Sequence, residues 1–169
     1  MNQSTKWIVG IIVVVAVVAV GYFVTKGPTG PVSTEPIKIG FIGPLTGDAA
    51  NIGQNVRAAV EISVKEVNEA GGVNGRPLEV IYEDGQCTGN VASNAANKLI
   101  NIDKVPLILG GACSGETSSF AGAAEQSKTV VLSYCSSAPA ISQAGNYIFR
   151  NYPSDLYQGS FGAEYVYNK

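Results

Sequence analysis

Four hydroxyl side chains stand shortly after short apolar runs of the sequence, where strands would end. These are Thr46, Ser114, Ser136 and Ser137. In an open sheet of parallel strands, ligands bind beyond the carboxyl ends of the strands, so we expect these residues to line one crevice. Ser114 also stands where a helix would begin, so its N–H and hydroxyl could meet an anion there or could simply cap the helix. Small hydroxyl and backbone groups suit a small zwitterion and are a poor set for catalysis.

The composition argues against an enzyme, because the sequence contains no histidine. Histidine is the usual general base near neutral pH, the commonest zinc ligand and the usual activator of a serine or cysteine nucleophile. Residues 110–118 resemble a nucleophile elbow only superficially, since Ala112 stands where a glycine would precede Ser114. We therefore predict no catalytic residue and no enzymatic activity.

Cofactor, metal and nucleic-acid sites also lack their usual patterns. The four glycines from Gly40 to Gly53 have neither dinucleotide nor P-loop spacing, so they are expected in turns or along a ligand cleft. No further ligands converge on Glu83 and Asp84, which we expect to be solvated or turn-forming. A net charge of −2 with scattered basic residues does not favour nucleic acid. We predict no cofactor and no metal.

Residues 7–24 form an apolar stretch of 18 residues without a charge. As a helix this stretch would be about 27 Å long, close to the roughly 30 Å hydrocarbon core of a bilayer. Residues 1–26 are therefore predicted to be an uncleaved membrane anchor, a cleaved signal peptide or, as a third alternative, a buried helix. The first two would export the rest of the chain, which suits a disulfide. Residues 27–36 hold three prolines and two glycines and are predicted to be an extended linker.

From residue 37 onward, short apolar runs alternate with longer segments of helical periodicity. The runs predict strands at residues 37–42, 78–84, 105–111 and 129–134, with helices between them. This order predicts an α/β fold, a doubly wound parallel sheet with right-handed crossovers and helices on both faces. Residues 146–150 are a candidate fifth strand. A last helix begins at Ser154 or Asp155, and because the chain stops inside it, the domain at 37–169 is expected to be truncated.

Several segments carry a family likeness once the elements are in place. They are residues 37–87, GACS at 111–114, SYCSSAP at 133–139 and FRNYPSDLYQG at 149–159. Together they resemble the opening of the Leu/Ile/Val-binding proteins of bacterial ABC importers, which have the type I periplasmic-binding fold. The most specific part is NEAGGVNGRPLEV at 68–80 combined with the later P-S-D-x-x-Q-G.

The resemblance implies roles for the hydroxyl residues. Ser114 would help to hold the α-carboxylate of a ligand, and Ser136 and Ser137 would contact its α-amino and α-carboxyl groups. Ile52 stands where many relatives carry an aromatic over the ligand side chain, which is a departure from the family pattern. A second lobe, outside this chain, would supply an acidic partner for the ligand's ammonium group.

The three cysteines, Cys87, Cys113 and Cys135, leave one unpaired if a single disulfide forms. The resemblance implies a bridge between Cys87 and Cys113, the alternative being two free buried thiols. Cys135 would then have a packing role.

The resemblance also implies a function. The complete protein would be the substrate-binding component of an amino-acid ABC importer, capturing a branched-chain amino acid or related amide by hinge closure and delivering it to a permease. The alternative is a membrane-anchored sensory receptor ectodomain for such a ligand. The expected location is the cell membrane with an extracytoplasmic domain, or the periplasm or medium if the N-terminal segment is cleaved.

Overall fold

The structure is a computed structural model that describes residues 34–169. The predicted anchor at residues 1–26 and the predicted linker up to residue 33 lie outside the described residues. Between residues 34 and 169, no helix is both long and apolar enough to cross a membrane.

Five parallel strands form one sheet in the order β2-β1-β3-β4-β5. The strands are β1 Ile37–Gly43, β2 Leu78–Asp84, β3 Leu107–Leu109, β4 Val130–Ser133 and β5 Ile148–Arg150. The predicted parallel α/β sheet is confirmed, including its fifth strand. β3 is shorter than the apolar run at 105–111, because the Val105 N–H bonds to Leu99 at the end of a helix and Gly110 has a φ of 148°.

Three helices and one short 3-10 helix connect the strands, and a fourth helix follows β5. They are α1 Ala50–Glu69, α2 Gly89–Asn101, α3 Ser114–Ser127, the 3-10 helix Pro139–Gln143 and α4 Asp155–Tyr167. The chain passes from β1 to β2 in one direction and then back past β1 to β3 and β4. Because such crossovers are right-handed, this reversal places α1 on one face of the sheet and α2 and α3 on the other.

The core lies between α2, α3 and the sheet. Its fully buried side chains include Ile42, Leu99, Ile108, Phe120 and Val131. Alanines on α2 let this helix approach α3 closely, and Ala92 and Ala96 are fully buried there. The α2–α3 pair thus packs against one face of the sheet and buries most of the core there.

The sequence pattern does not fix the start of α1. The helix begins at Ala50, six residues before Val56, the first valine of its apolar stripe. Gly53 lies in its first turn, where a β-carbon would overlap the carbonyl oxygen of Pro44. The loop that follows β1 therefore passes directly against the first turn of α1, and this close approach requires glycine.

Candidate ligand-binding site

The candidate site lies where the connections leave the sheet in opposite directions. β1 and β3 are neighbours, but the chain leaves β1 toward β2 and leaves β3 toward β4. Such a switch point opens a crevice at the carboxyl ends of the strands. The segments 113–115, after β3, and 136–138, after β4, lie at this edge, and we call these two segments the shelf.

Ser114 joins the two segments of the shelf. Its hydroxyl oxygen accepts a hydrogen bond of 3.1 Å from the N–H of Ala138. The N-cap of α3 is Cys113, and Ser114 is the first residue of the helix. Helix capping, the simpler interpretation of Ser114, is therefore wrong, because its hydroxyl bonds across to the neighbouring loop.

The backbone of the shelf has free donors and occupied acceptors. Among the described residues, no acceptor is present for the N–H groups of Ser114, Gly115 and Ser137. The neighbouring carbonyl oxygens, by contrast, already accept hydrogen bonds from within the domain. The Cys113 oxygen accepts from the N–H groups of Glu116 and Thr117. In the other segment, the donors are Arg150 to Ser136, Asp155 to Ser137, and Arg150 and Ile141 to Ala138. Free N–H groups at the start of a helix attract an anion.

Ser136 lies beneath the surface of the shelf, and its contact with a ligand stays a prediction. The residue is completely buried. Its hydroxyl lies 2.8 Å from that of Thr117 and 3.2 Å from the carbonyl oxygen of Gly111, and its N–H bonds to the Ser133 hydroxyl. Ser136 therefore belongs to a buried network that holds the two loops together, whereas Ser114 and Ser137 are half-buried.

Thr46 lies in the loop after β1 and is held by Asp84. Its hydroxyl donates to one carboxylate oxygen of Asp84, and the other oxygen accepts from the N–H groups of Leu45 and Gln86. Partial burial opposes the charge of Asp84, but these hydrogen bonds outweigh it and hold the pKa of Asp84 below its usual value. The turn-forming interpretation of Asp84 is thereby confirmed.

Glu83 and Ile52, which the sequence analysis also singled out, make no hydrogen bond to the shelf within the described residues. Glu83 pairs with Lys98, its carboxylate 2.7 Å from the ammonium nitrogen. Ile52, in the first turn of α1, leaves 42% of its surface exposed. The contribution of Thr46 and Ile52 to ligand binding stays a prediction.

The Cys87–Cys113 disulfide is present, with a Cα–Cα distance of 5.3 Å. Glu116, which is completely buried, holds the same two loops, because its two oxygens accept from the N–H groups of Cys87 and Cys113 at 3.0 Å each. Burial raises the pKa of Glu116, although these N–H groups oppose the shift. Cys135 is a half-buried free thiol.

Sequence reasoning missed three polar residues around the shelf. For Glu116 a signal existed, since an acidic residue three positions after a helix N-cap is typical of a capping box. Arg150 and Tyr134 offered no such signal. The Tyr134 ring stacks on Phe41, with centroids 5.7 Å apart, and burial raises the pKa of its hydroxyl. That hydroxyl is buried against Gly43 and has no hydrogen-bond partner within residues 34–169.

The arrangement offers no metal site within residues 34–169. No group of three or more histidine, cysteine, aspartate or glutamate side chains there is placed to hold an ion. What the shelf offers is a set of neutral N–H donors beside half-buried hydroxyls. Such a set is chemically suited to hold an anionic group, and it offers no group that would act as a nucleophile or a general base.

Comparisons with known proteins agree with this geometry. The family described as periplasmic binding protein matches residues 36–168. The leucine-, isoleucine-, valine-, threonine- and alanine-binding protein of Pseudomonas aeruginosa is 33% identical over 135 residues, which cover 79% of this chain and 36% of that protein.

Two solved structures show the same fold. The branched-chain amino acid transporter substrate binding protein LivJ of Streptococcus pneumoniae, in complex with isoleucine, has a TM-score of 0.69 and 27% identity, covering 71% of this chain and 34% of its own. A solute binding protein of an ABC transporter from Rhodopseudomonas palustris, in complex with 3,4-dihydroxy benzoic acid, has a TM-score of 0.66 and 26% identity, covering 72% and 33%. The chain thus spans about a third of the length of the relatives it matches.

Proposed function

The chain belongs to the periplasmic binding protein family, and from that premise we propose that the complete protein is the extracytoplasmic substrate-binding component of an amino-acid ABC importer. The family consists of solute-binding proteins and not of enzymes. In this proposal residues 37–169 are the first lobe, and a second lobe outside this chain closes over the ligand. The ligand is a small zwitterion, a branched-chain amino acid or a related amide, which is handed to a permease in the membrane.

The free N–H groups of the shelf carry this proposal. Those of Ser114, Gly115 and Ser137 are available, whereas the carbonyl oxygens around them are occupied. A carboxylate accepts hydrogen bonds from such groups without competing acceptors. The ligands named for the two solved relatives, isoleucine and 3,4-dihydroxy benzoic acid, share a carboxylate. The amino acid is favoured over the amide, because a neutral amide oxygen is the weaker acceptor.

The first lobe alone is expected to bind weakly. A ligand on the shelf stays half solvated, and its ammonium group has no charged partner there. The entropic cost of ordering the ligand is nevertheless the same as in a closed cleft between two lobes. We expect a dissociation constant in the millimolar range for this chain.

An extracytoplasmic location agrees with the Cys87–Cys113 disulfide, since disulfides persist in oxidising compartments. The N-terminal apolar segment would anchor the protein or direct its export. Both alternatives place the shelf on the side of the membrane where an importer collects its substrate.

The test is a nuclear magnetic resonance titration of the full ¹⁵N-labelled chain in a nonionic detergent with L-leucine. We expect the amide resonances of Gly115 and Ser137 to move with a millimolar dissociation constant. Ser114→Ala should weaken this response, because the 3.1 Å link between the two segments is lost. Ser127→Ala is the matched control, since that hydroxyl lies at the far end of α3 and bonds within the helix.

Two results would contradict the proposal. The first is the absence of any movement of the shelf resonances at about 50 mM leucine, a concentration that would largely saturate a site with a millimolar dissociation constant. The second is micromolar binding by this chain, which would show that half a cleft suffices and that closure by a second lobe is unnecessary.

A further inference from the structure

Arg150, the last residue of β5, donates hydrogen bonds to the backbone on both sides of Ser137. One guanidinium nitrogen donates to the carbonyl oxygen of Ala138 at 2.9 Å and to that of Ser136 at 3.4 Å. The other terminal nitrogen donates to the Ser142 hydroxyl. We propose that Arg150 is a positioning residue that presents the Ser137 N–H to the carboxylate of the ligand, an assignment that rests on the proposed function.

The planarity of the peptide group fixes the direction of the Ser137 N–H once the Ser136 carbonyl oxygen is held. The carbonyl group of Ser136 and the N–H of Ser137 belong to one peptide unit, which is trans. In a trans unit the C=O and N–H point in opposite directions. Arg150 holds the carbonyl oxygen on the inner side, so the N–H is fixed on the opposite side, where it has no acceptor among the described residues.

Two further hydrogen bonds hold the segment 136–138 and leave the Ser137 N–H unbonded. The N–H of Asp155 donates to the carbonyl oxygen of Ser137 at 2.9 Å, and the Ala138 N–H donates to Ser114. Every other polar backbone group from the Ser136 carbonyl to the Ala138 carbonyl is therefore bonded. In this segment, the Ser137 N–H is the one backbone group without a partner among the described residues, and it is left for a ligand.

The charge of Arg150 strengthens the same donor. Its hydrogen-bond partners are neutral oxygens, and within the described residues no carboxylate lies within ion-pair distance of its guanidinium. A cation at the carbonyl end of a peptide unit polarises that unit, so its N–H becomes a better donor. The cation also lies one peptide unit from the predicted anion, which favours a carboxylate over a neutral group.

The test compares Arg150→Met and Arg150→Lys with a matched control, Arg76→Met, in the full chain. Arg76 also donates to two backbone carbonyl oxygens, those of Glu35 at 2.8 Å and Pro36 at 3.4 Å. Those residues precede β1, at the amino end of the strands and away from the shelf. The control therefore removes a comparable arginine-to-backbone contact that does not orient a shelf donor.

The probes are L-leucine and L-leucinamide, which lacks the negative charge. From the initial slope of the Ser137 amide shift, Arg150→Met should weaken leucine binding about tenfold, and Arg150→Lys about threefold, because a hydrogen bond to a charged group is lost. Leucinamide binding should change by less than about twofold, and Arg76→Met should leave both responses unchanged.

A structural role for Arg150 alone would weaken both probes equally, in proportion to the loss of folded protein, and would overturn the assignment. So would a leucine response in Arg150→Met equal to that of the wild type. A wild-type chain that does not respond to leucine would overturn the proposed function and this assignment with it, so the two failures are distinguishable.

Discussion

Removing the Cys87–Cys113 disulfide should lower the free energy of unfolding by about 3.5 kcal/mol. The two cysteines are 26 positions apart, so the bridge closes a loop of about 27 residues. The chain-entropy relation for such a loop gives about 12 cal/mol/K, which is about 3.5 kcal/mol at 25 °C. Since a domain has a stability of only about 5–15 kcal/mol, this single crosslink accounts for a large part of it.

The loss should arise in the unfolded state and not in the folded one. Without the bridge, the loops after β2 and β3 are still joined by Glu116, whose carboxylate accepts from the N–H groups of both residues 87 and 113. The shelf should therefore keep its geometry. The unfolded chain, by contrast, expands, so the dependence of the unfolding free energy on urea should become steeper.

The assay is equilibrium urea unfolding of the full chain carrying Cys87→Ser and Cys113→Ser together. With a urea dependence of about 2 kcal/mol/M, the midpoint should fall by about 1.7 M. Cys135→Ser is the control and should unfold at the wild-type midpoint, and wild-type protein in reductant should match the double variant. A loss below about 1 kcal/mol would refute the loop-entropy argument for this bridge.

Two further predictions concern buried polar groups near the same edge of the sheet. Glu116→Gln should cost about 1–3 kcal/mol at neutral pH, because one amide oxygen replaces two acceptors. Since burial raises the pKa of Glu116, the folded state binds more protons than the unfolded one in the window that runs from the unfolded-state pKa of about 4.3 up to the raised pKa of the folded state. Wild-type stability should therefore fall as the pH rises through that window, and the glutamine variant should remove this slope in urea unfolding. Tyr134→Phe should raise the unfolding free energy by about 1 kcal/mol in thermal unfolding, since the lost hydroxyl has no partner among the described residues. Tyr82→Phe is the control, and a loss of stability in Tyr134→Phe would contradict the prediction.

The order of the elements could be predicted because each apolar run is followed by a clear change of period. β2 was predicted with its observed bounds, since LEVIYED is enclosed by turn residues and is seven residues long. α1 was harder, because its first turn contains Gly53, a poor helix former that the close approach of Pro44 requires. Tertiary packing overrides local propensity there, and packing is not visible in a local pattern.

The sequence predicts where the residues of the site lie along the chain, but it does not predict which of their side chains are buried. Ser136 and Ser137 are adjacent and chemically identical, yet one is fully buried and the other is half-buried. They follow the last residue of β4, so the alternation of a strand no longer decides which side each faces. What decides it is Thr117, 19 positions away, whose hydroxyl binds that of Ser136. The contact between Glu116 and Cys87, across 29 positions, is equally invisible to local reasoning.

In the proposed site, the backbone of the shelf would recognise the acid group of a ligand. Along residues 136–138 the carbonyl oxygens are all bonded to Arg150, Asp155 or Ile141, so within the described residues this segment has no free backbone oxygen to accept from an ammonium group. The donors can serve an amino acid and an aromatic acid equally well. In this proposal, discrimination between them depends on acceptor groups that lie outside the shelf and bind the ammonium group of the amino acid. Changes at Ser114 or Arg150 should consequently weaken all carboxylate ligands together, whereas a change of ligand class requires residues elsewhere in the cleft.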